Sequence, residues 1–191
     1  MAGGGTAEGG RVKIAGIAAA VYIGAIVAAN YLIVHGCPGA TPTPYHTYTL
    51  PVGFGLAAPA GTYMAAISFP ARDVLQRAGG RWIGLAAIVV GAVVSWWVSS
   101  PAIAVASGVT FLVAESVDFI IFTPLQRRSF AVAVVVSGLF ALTVTSALFL
   151  HLAHLPMAGL PGLVVGKVWV ILLAGPAAYG LRRVPALRFA P

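Results

Sequence analysis

Residues 102–122 read AIAVASGVTFLVAESVDFIIF, an apolar run that is interrupted by two ionisable residues, Glu115 and Asp118. At a helical rise of about 1.5 Å per residue, this run would extend roughly 30 Å, which matches the hydrocarbon core of a bilayer. The stretch therefore predicts a transmembrane helix that carries two carboxyl groups inside the membrane.

The composition of the whole chain supports the same interpretation. Of 191 residues, 60% are hydrophobic and only 8% are charged, whereas charged residues make up about 25% of an ordinary soluble domain. This excludes a soluble globular protein, a disordered protein and a DNA-binding domain. It predicts an all-α, polytopic membrane helix bundle. The single cysteine, Cys37, excludes an internal disulfide and a cysteine-based zinc site.

Six transmembrane helices are predicted inside a membrane domain of residues 14–181. A disordered tail (residues 1–13) precedes this domain, and a second tail (residues 182–191) follows it. The segment 35–49 is rich in proline, which favours an extended, at least partly ordered loop. The predicted helices are 14–34, 50–71, 82–98, 102–122, 130–152 and 163–179.

Positive charge predicts the orientation of these helices. Ten of the 11 Lys and Arg residues fall in the two tails or in the loops after the second and fourth helices, and the other three loops have none. Because Lys and Arg accumulate on the cytoplasmic side, we expect a multi-pass protein of the cell (plasma) membrane with both termini in the cytoplasm. The eleventh, Lys167, falls within the sixth helix.

Glu115, Asp118 and Lys167 are the strongest candidates for a site, because each charge near the bilayer centre costs about 2.5–3.5 kcal/mol. The two acids are three residues apart and therefore share a helix face. They predict a substrate or proton site; a structural ion pair, or snorkelling to an interface, is the alternative. Direct pairing of Lys167 with Glu115 stays open.

Other polar residues of the spans complete the candidate substrate-binding set. Small hydroxyl residues often bond their own helix backbone, so a structural role is the alternative for most of them. Phe69, Phe119 and Trp169 are candidates to stack on a planar ligand. Asp73, near the cytoplasmic end of the second helix, predicts either an interfacial salt bridge with Arg77 or a gating role. The further polar candidates are Asn30, Thr62, Ser68 and Thr145.

Several of these residues occur in an order that resembles the VUT family of vitamin-uptake or queuosine-precursor transporters. Three motifs carry the resemblance, together with an early asparagine, and they cover nearly the whole membrane region. They are Pro59–Gly61 through Ser68–Leu75 to Gly79-Gly80; Glu115–Phe122 with Leu125 and Arg127; and Lys167–Trp169 with Pro176 and Tyr179; the asparagine is Asn30. In the fifth helix the chain departs from the family, because Leu142, Thr145 and Ser146 stand where an Asn and an Asp-Thr pair are typical.

The resemblance implies six helices, similar to the substrate-binding subunits of energy-coupling-factor transporters, and uptake of 7-deazaguanine bases. The sequence is accordingly interpreted as a transporter of a small planar, hydrogen-bonding molecule. We expect no catalysis, cofactor, metal site or nucleic-acid partner. Membrane lipid is an expected partner, whereas a homo-oligomer or a coupling subunit stays open. A structural or assembly membrane protein without a ligand, and a membrane-embedded enzyme, are the alternatives.

Overall fold

The computed structural model describes residues 4–99 and 104–181, with side chains from residue 9 to residue 180. Six α-helices form the described part, and a three-stranded sheet lies between the first two of them. The helices are α1 (Gly4–His35), α2 (Thr62–Gly79), α3 (Arg81–Val98), α4 (Ala104–Leu125), α5 (Phe130–Leu152) and α6 (Leu160–Leu181), and the strands are β1 (Thr41–Pro42), β2 (Tyr48–Gly53) and β3 (Leu56–Pro59).

Five of the helices, α1 and α3 to α6, are long and apolar enough to cross a membrane. Their exposed faces carry large apolar side chains such as Ile17, Val89, Trp97, Ile120 and Leu173. In water such surfaces would be strongly unfavourable, whereas in a bilayer they are in contact with hydrocarbon. The architecture is therefore that of an integral membrane helix bundle.

The remaining helix, α2, lies inside the bundle. It packs against α1, α3 and α6 and approaches α4 and α5. Among the described residues, the large exposed apolar side chains belong to other elements, and α2 contributes none. Because its neighbours shield it from lipid, α2 can carry polar residues that a lipid-facing helix could not, and Arg72, Asp73 and Gln76 are all buried on it.

The antiparallel sheet, in the order β1-β2-β3, corrects the prediction of a helix over residues 50–71. Residues 48–59 form β2 and β3, and α2 begins only at Thr62. Gly53, Phe54 and Gly55 connect the two strands with positive φ angles of 99°, 55° and 71°. Glycine adopts this left-handed conformation at little cost, so the turn favours a hairpin over a continuous helix.

The sheet caps the end of the bundle where α1 ends and α2 begins, which we call the sheet end. Trp169 on α6 donates its indole N–H to the Val52 carbonyl oxygen at 3.0 Å. Gly162, at the start of α6, lies so close to β3 that a Cβ atom there would overlap the Ala57 carbonyl oxygen. These contacts attach α6 to the sheet.

The other predicted boundaries agree more closely with the structure. The fifth helix has the predicted bounds, and the third, fourth and sixth agree within three residues at each described end. The first helix begins at Gly4, so residues 4–13 are helical where a disordered tail was predicted; extending a formed helix adds one hydrogen bond per residue, which favours this continuation. The predicted C-terminal tail, 182–191, lies outside the described residues.

Candidate functional site

A cavity opens between the helices at the sheet end. Its volume is about 110 Å³, several times the space of roughly 10–15 Å³ that one water needs. All six helices line the cavity: α3 contributes one residue, Ser95, and each of the other five contributes at least two. Of the predicted substrate-binding residues, the cavity brings together Asn30, Thr62, Ser68, Phe69, Thr145 and Lys167.

Lys167 is the charged residue of this cavity. Its side chain comes from the first half of α6 and is buried, with only 7% of the residue exposed. Within residues 9–99 and 104–180, no hydrogen bond or ion pair to its ammonium group is formed. A buried ammonium without a partner is costly, so this group is suited to receive an acceptor atom from a ligand or from water.

Two threonine hydroxyls of the cavity are also unpartnered. Thr62 Oγ1 on α2 and Thr110 Oγ1 on α4 are buried and make no hydrogen bond within the described part. By contrast, Ser68 and Thr145 donate to carbonyl oxygens of their own helices, Ala65 O and Ala141 O, both at 2.7 Å. These two hydroxyls still have lone pairs that can accept a hydrogen bond.

Asn30 makes a structural connection as well as lining the cavity. Its amide nitrogen donates to Ile26 O at 2.9 Å and to Ser95 Oγ at 3.4 Å. Its carbonyl oxygen accepts a hydrogen bond from Ser99. Asn30 therefore links α1 to the last turn of α3, and its hydrogen-bonding capacity is largely used without a ligand.

Three aromatic rings, those of Phe69, Phe111 and Phe149, line the cavity. Of the other two aromatic residues that the sequence suggested for stacking, Phe119 faces Arg72, whose guanidinium carbon is 5.8 Å from the ring centroid. Trp169 stacks on Phe54 of the sheet, with ring centroids 6.3 Å apart. Both rings thus serve other contacts.

The three remaining predicted residues, Glu115, Asp118 and Asp73, form a second site that is centred on Arg72. Arg72 Nε donates to Glu115 Oε2 at 2.9 Å, and Nη2 donates to Asp118 Oδ2. Nη1 donates to Gln76 Oε1 at 2.8 Å and lies 3.2 Å from Asp73 Oδ1. We call Arg72, Asp73, Glu115 and Asp118 the arginine cluster; all four residues are 0% exposed.

The arginine cluster corrects the placement of Asp73. The sequence suggested that Asp73 lies near the membrane interface and pairs with Arg77, but it is buried and contacts Arg72. Arg77 instead donates to Gln126 O at 3.1 Å. The error follows from the misplaced second helix: since α2 extends from Thr62 to Gly79, residues 72 and 73 lie near its middle.

Arg72 is the functional candidate that the sequence analysis missed. It was assigned to a cytoplasmic loop, because the predicted helix ended at residue 71. A usable signal was the Gly53-Phe54-Gly55 turn between two short apolar runs, which is typical of a hairpin. A hairpin there moves the start of the helix past Gly61 and places Arg72 inside the bundle.

Glu115 and Asp118 do share one face of α4, as their spacing predicted, and that face points to Arg72 rather than into the cavity. Of the interpretations that the sequence left open, the structural ion pair describes their contacts. Ser68 connects the two sites, because it lines the cavity and lies next to Glu115. Comparison with family models, curated proteins and solved structures found no match for this chain.

Proposed function

We propose that this integral membrane protein imports a small planar, hydrogen-bonding molecule and binds it in the cavity at the sheet end. One observation carries the proposal: Lys167, a buried residue with no ion pair or hydrogen bond to another described side chain, lines the same cavity as the Thr62 and Thr110 hydroxyls, which are buried and lack partners within the described part of the chain. Buried polar groups ordinarily have partners, and a ligand in the cavity would supply them.

The distribution of basic residues supports an orientation with the sheet end outside the cell. Arg11, Lys13, Arg127 and Arg128 are at the end opposite the sheet, as the helix directions require. By the positive-inside rule that end is cytoplasmic. The cavity then faces the external medium of the plasma membrane, and both termini are cytoplasmic.

The cavity suits a flat, aromatic ligand with acceptor atoms. Its phenylalanine rings provide stacking surfaces, and Lys167 provides a charge-assisted donor for a carbonyl or ring-nitrogen acceptor. Ser68 and Thr145 retain lone pairs for the N–H groups of the ligand. On the resemblance to the VUT family, we propose a 7-deazaguanine base, a queuosine precursor, as the substrate.

A structural or assembly protein without a ligand is the second candidate. The arginine cluster favours it, because its charges are engaged with one another. A purely structural role, however, requires every buried charge to be paired with an opposite charge, and Lys167 has no carboxylate partner among the described residues. Catalysis and a cofactor have no part in the proposed function, whereas a homo-oligomer or a coupling subunit is compatible with it.

The direct test is uptake of a labelled 7-deazaguanine base into cells that cannot synthesise it. Cells that produce the protein should accumulate label, and cells with an empty vector should not. The same base should raise the unfolding temperature of the purified protein in detergent, since a ligand that binds only the folded state stabilises it. If neither uptake nor stabilisation occurs for any planar base in a panel, the importer proposal is wrong.

A further inference from the structure

Two buried carboxyl groups lie against the same guanidinium group, one helical turn below the cavity. Asp73 Oδ1 on α2 is 3.2 Å from Arg72 Nη1, Asp118 Oδ2 on α4 accepts a hydrogen bond from Arg72 Nη2, and both acidic residues are 0% exposed. Both oxygens of Asp73, and Oδ1 of Asp118, accept no hydrogen bond from the described residues. Two ionised carboxylates on neighbouring nitrogens of one guanidinium group would repel each other. One proton between them would turn that repulsion into a hydrogen bond from Asp73 to Asp118.

The charges around this pair also require a proton. Fully ionised, the arginine cluster has three negative charges against the single positive charge of Arg72. Uncompensated charge is very costly in such a buried place. With one proton bound, a single negative charge remains, and Lys167 on α6 can balance it. The polar interior then becomes neutral overall.

Among the described residues, the groups that face the arginine cluster from α1, α3 and α5 are uncharged. From α1 the facing group is the Tyr22 hydroxyl, which donates to Ala87 O at 3.0 Å. The buried residues of α3 are uncharged. From α5 the Ser137 hydroxyl lies next to Asp118, is fully buried and makes no well-aligned hydrogen bond. Ser137 is uncharged and does not alter the charge balance of the cluster.

Asp73 is the acid that should hold the proton. Glu115 and Asp118 each accept a directed N–H from Arg72, which favours their ionised forms. Asp73 has only a 3.2 Å charge contact with Arg72, and this contact does not satisfy either of its oxygens. A protonated Asp73 can donate to the unpartnered Asp118 Oδ1.

The position of the cluster relates this proton to transport. Ser68 and Phe69 line the cavity, and Arg72 and Asp73 follow one helical turn deeper on α2. In the proposed import, the ligand would leave towards the opposite end as α2 and α4 separate where Arg72 joins them. Water then reaches Asp73, and a hydrated aspartic acid, with a pKa of about 3.9, ionises at neutral pH. Its O–H bond breaks, and the proton passes to cytoplasmic water.

We propose that Asp73 is a proton-binding site and that import of the ligand carries this proton into the cell. The first part stands on the geometry of the arginine cluster alone. The second part rests on the proposed importer function. Two experiments therefore test them separately, and the failure of one does not imply the failure of the other.

Infrared spectroscopy of the purified protein tests proton binding without any ligand. The chain has only four acidic residues, so the carbonyl stretch of a protonated carboxyl group is easily assigned, and ¹³C-labelled aspartate separates Asp from Glu. The wild type should show a protonated Asp at neutral pH. Asp73→Asn should lose this band, whereas the control Glu8→Gln should keep it.

Two spectroscopic results would overturn proton binding at Asp73. One is a wild-type spectrum in which every aspartate is ionised at neutral pH, and this result needs no variant and does not depend on how a variant folds. The other is a band that persists in a folded Asp73→Asn protein, because the proton would then belong to a different residue.

Proteoliposomes test the coupling. At zero membrane potential, a gradient of one pH unit, acidic outside, should give about tenfold accumulation of the 7-deazaguanine base if one proton accompanies each molecule. Asp73→Asn should still exchange labelled for unlabelled base but should lose the accumulation. If the wild type exchanges the base but does not accumulate it under the pH gradient, the proposed coupling is wrong and the importer proposal is unaffected. Absence of exchange in the wild type would overturn the importer proposal and, with it, the coupling. The infrared result on proton binding at Asp73 would still be valid.

Discussion

Arg72 Nε donates a hydrogen bond to Glu115 Oε2 at 2.9 Å, and the two residues are 43 positions apart in the sequence. The helices that carry them, α2 and α4, make few other contacts with each other. Both side chains are fully buried. The bond joins α2, the shielded helix of the bundle, to α4. Arg72 follows the cavity-lining residues Ser68 and Phe69 on α2, so the bond holds α2 and α4 together on the side of the cavity away from the sheet.

Replacing Arg72 should destabilise the protein severely. In Arg72→Gln, three buried carboxyl groups lose their cation, and breaking a buried ion pair in this way costs about 3–5 kcal/mol. Thermal unfolding in detergent would measure this as a large drop in the midpoint. The matched control is Arg81→Gln, because Arg81 is exposed at the start of α3 and should cost less than about 1 kcal/mol. Equal losses for the two variants would contradict the importance of the arginine cluster.

Lys167→Met should insert and fold normally but bind the base poorly. A charge-assisted hydrogen bond is worth about 1.5–3 kcal/mol, so the Kd should rise roughly 10- to 150-fold. Isothermal titration with the purified protein would measure it. Lys13→Met, at the exposed start of the first predicted span, removes the other lysine of the chain and should leave the Kd unchanged. Wild-type affinity in Lys167→Met would mean that the ammonium does not face the ligand.

Thr62→Val should weaken ligand binding without destabilising the empty protein. The Thr62 hydroxyl has no hydrogen-bond partner among the described residues, and valine has nearly the same shape. Losing one neutral hydrogen bond to the ligand should cost about 0.5–1.5 kcal/mol, a roughly two- to tenfold higher Kd. The control Thr143→Val changes an exposed threonine that bonds its own helix at Leu139 O. A similar Kd for both variants would remove Thr62 from the site.

Two glycine substitutions should have opposite effects on stability. A Cβ at Gly61 would overlap the backbone carbonyl oxygen of Ala29, so Gly61→Ala forces α1 and α2 apart and should cost about 1–3 kcal/mol. Gly16, on α1, has no atom within 4 Å of its Cβ position. Gly16→Ala should therefore stabilise the helix by about 0.5–1 kcal/mol. Thermal unfolding midpoints of the two variants would measure these changes in stability. A stabilising effect of Gly61→Ala would contradict the close packing of α1 against α2.

The orientation can be tested with a thiol reagent that does not cross membranes. Cys37 lies between α1 and β1 at the sheet end and should react from outside intact cells. In a Cys37→Ser background, Arg127→Cys places the only thiol at the opposite end, where it should react only after the cells are opened. Reaction of Arg127→Cys, but not of Cys37, in intact cells would reverse the topology.

The membrane helices were the most predictable part of the fold. An apolar run long enough to cross a bilayer is a local property, and α5 has the predicted bounds for that reason. The second helix was the least predictable. Residues 50–59 are as apolar as a helix would be, and apart from the Gly53-Phe54-Gly55 turn it is their pairing as strands, with Thr49 opposite Pro59 and Leu50 opposite Ala58, that distinguishes the two structures.

The candidate site also has a part that the sequence could predict and a part that it could not. Polar residues in apolar spans are conspicuous, so Lys167, Glu115 and Asp118 could be selected from the sequence. Their partners could not. The choice between Arg72 and Lys167 as the cation for Glu115 depends on how far α2 extends and on which helices surround it, and neither is a local property.

The sequence by itself therefore determined that this chain is a bundle of apolar helices with a few ionisable groups inside it, because hydrocarbon selects for length and apolarity along one segment at a time. Only the tertiary structure decided which groups neutralise one another. Arg72 reaches Glu115 and Asp118 across 43 and 46 positions, and that engagement leaves Lys167 without a carboxylate partner in the part of the chain that the structure describes. Electrostatic pairing acts across space between helices, so it follows from their packing and not from their order along the chain.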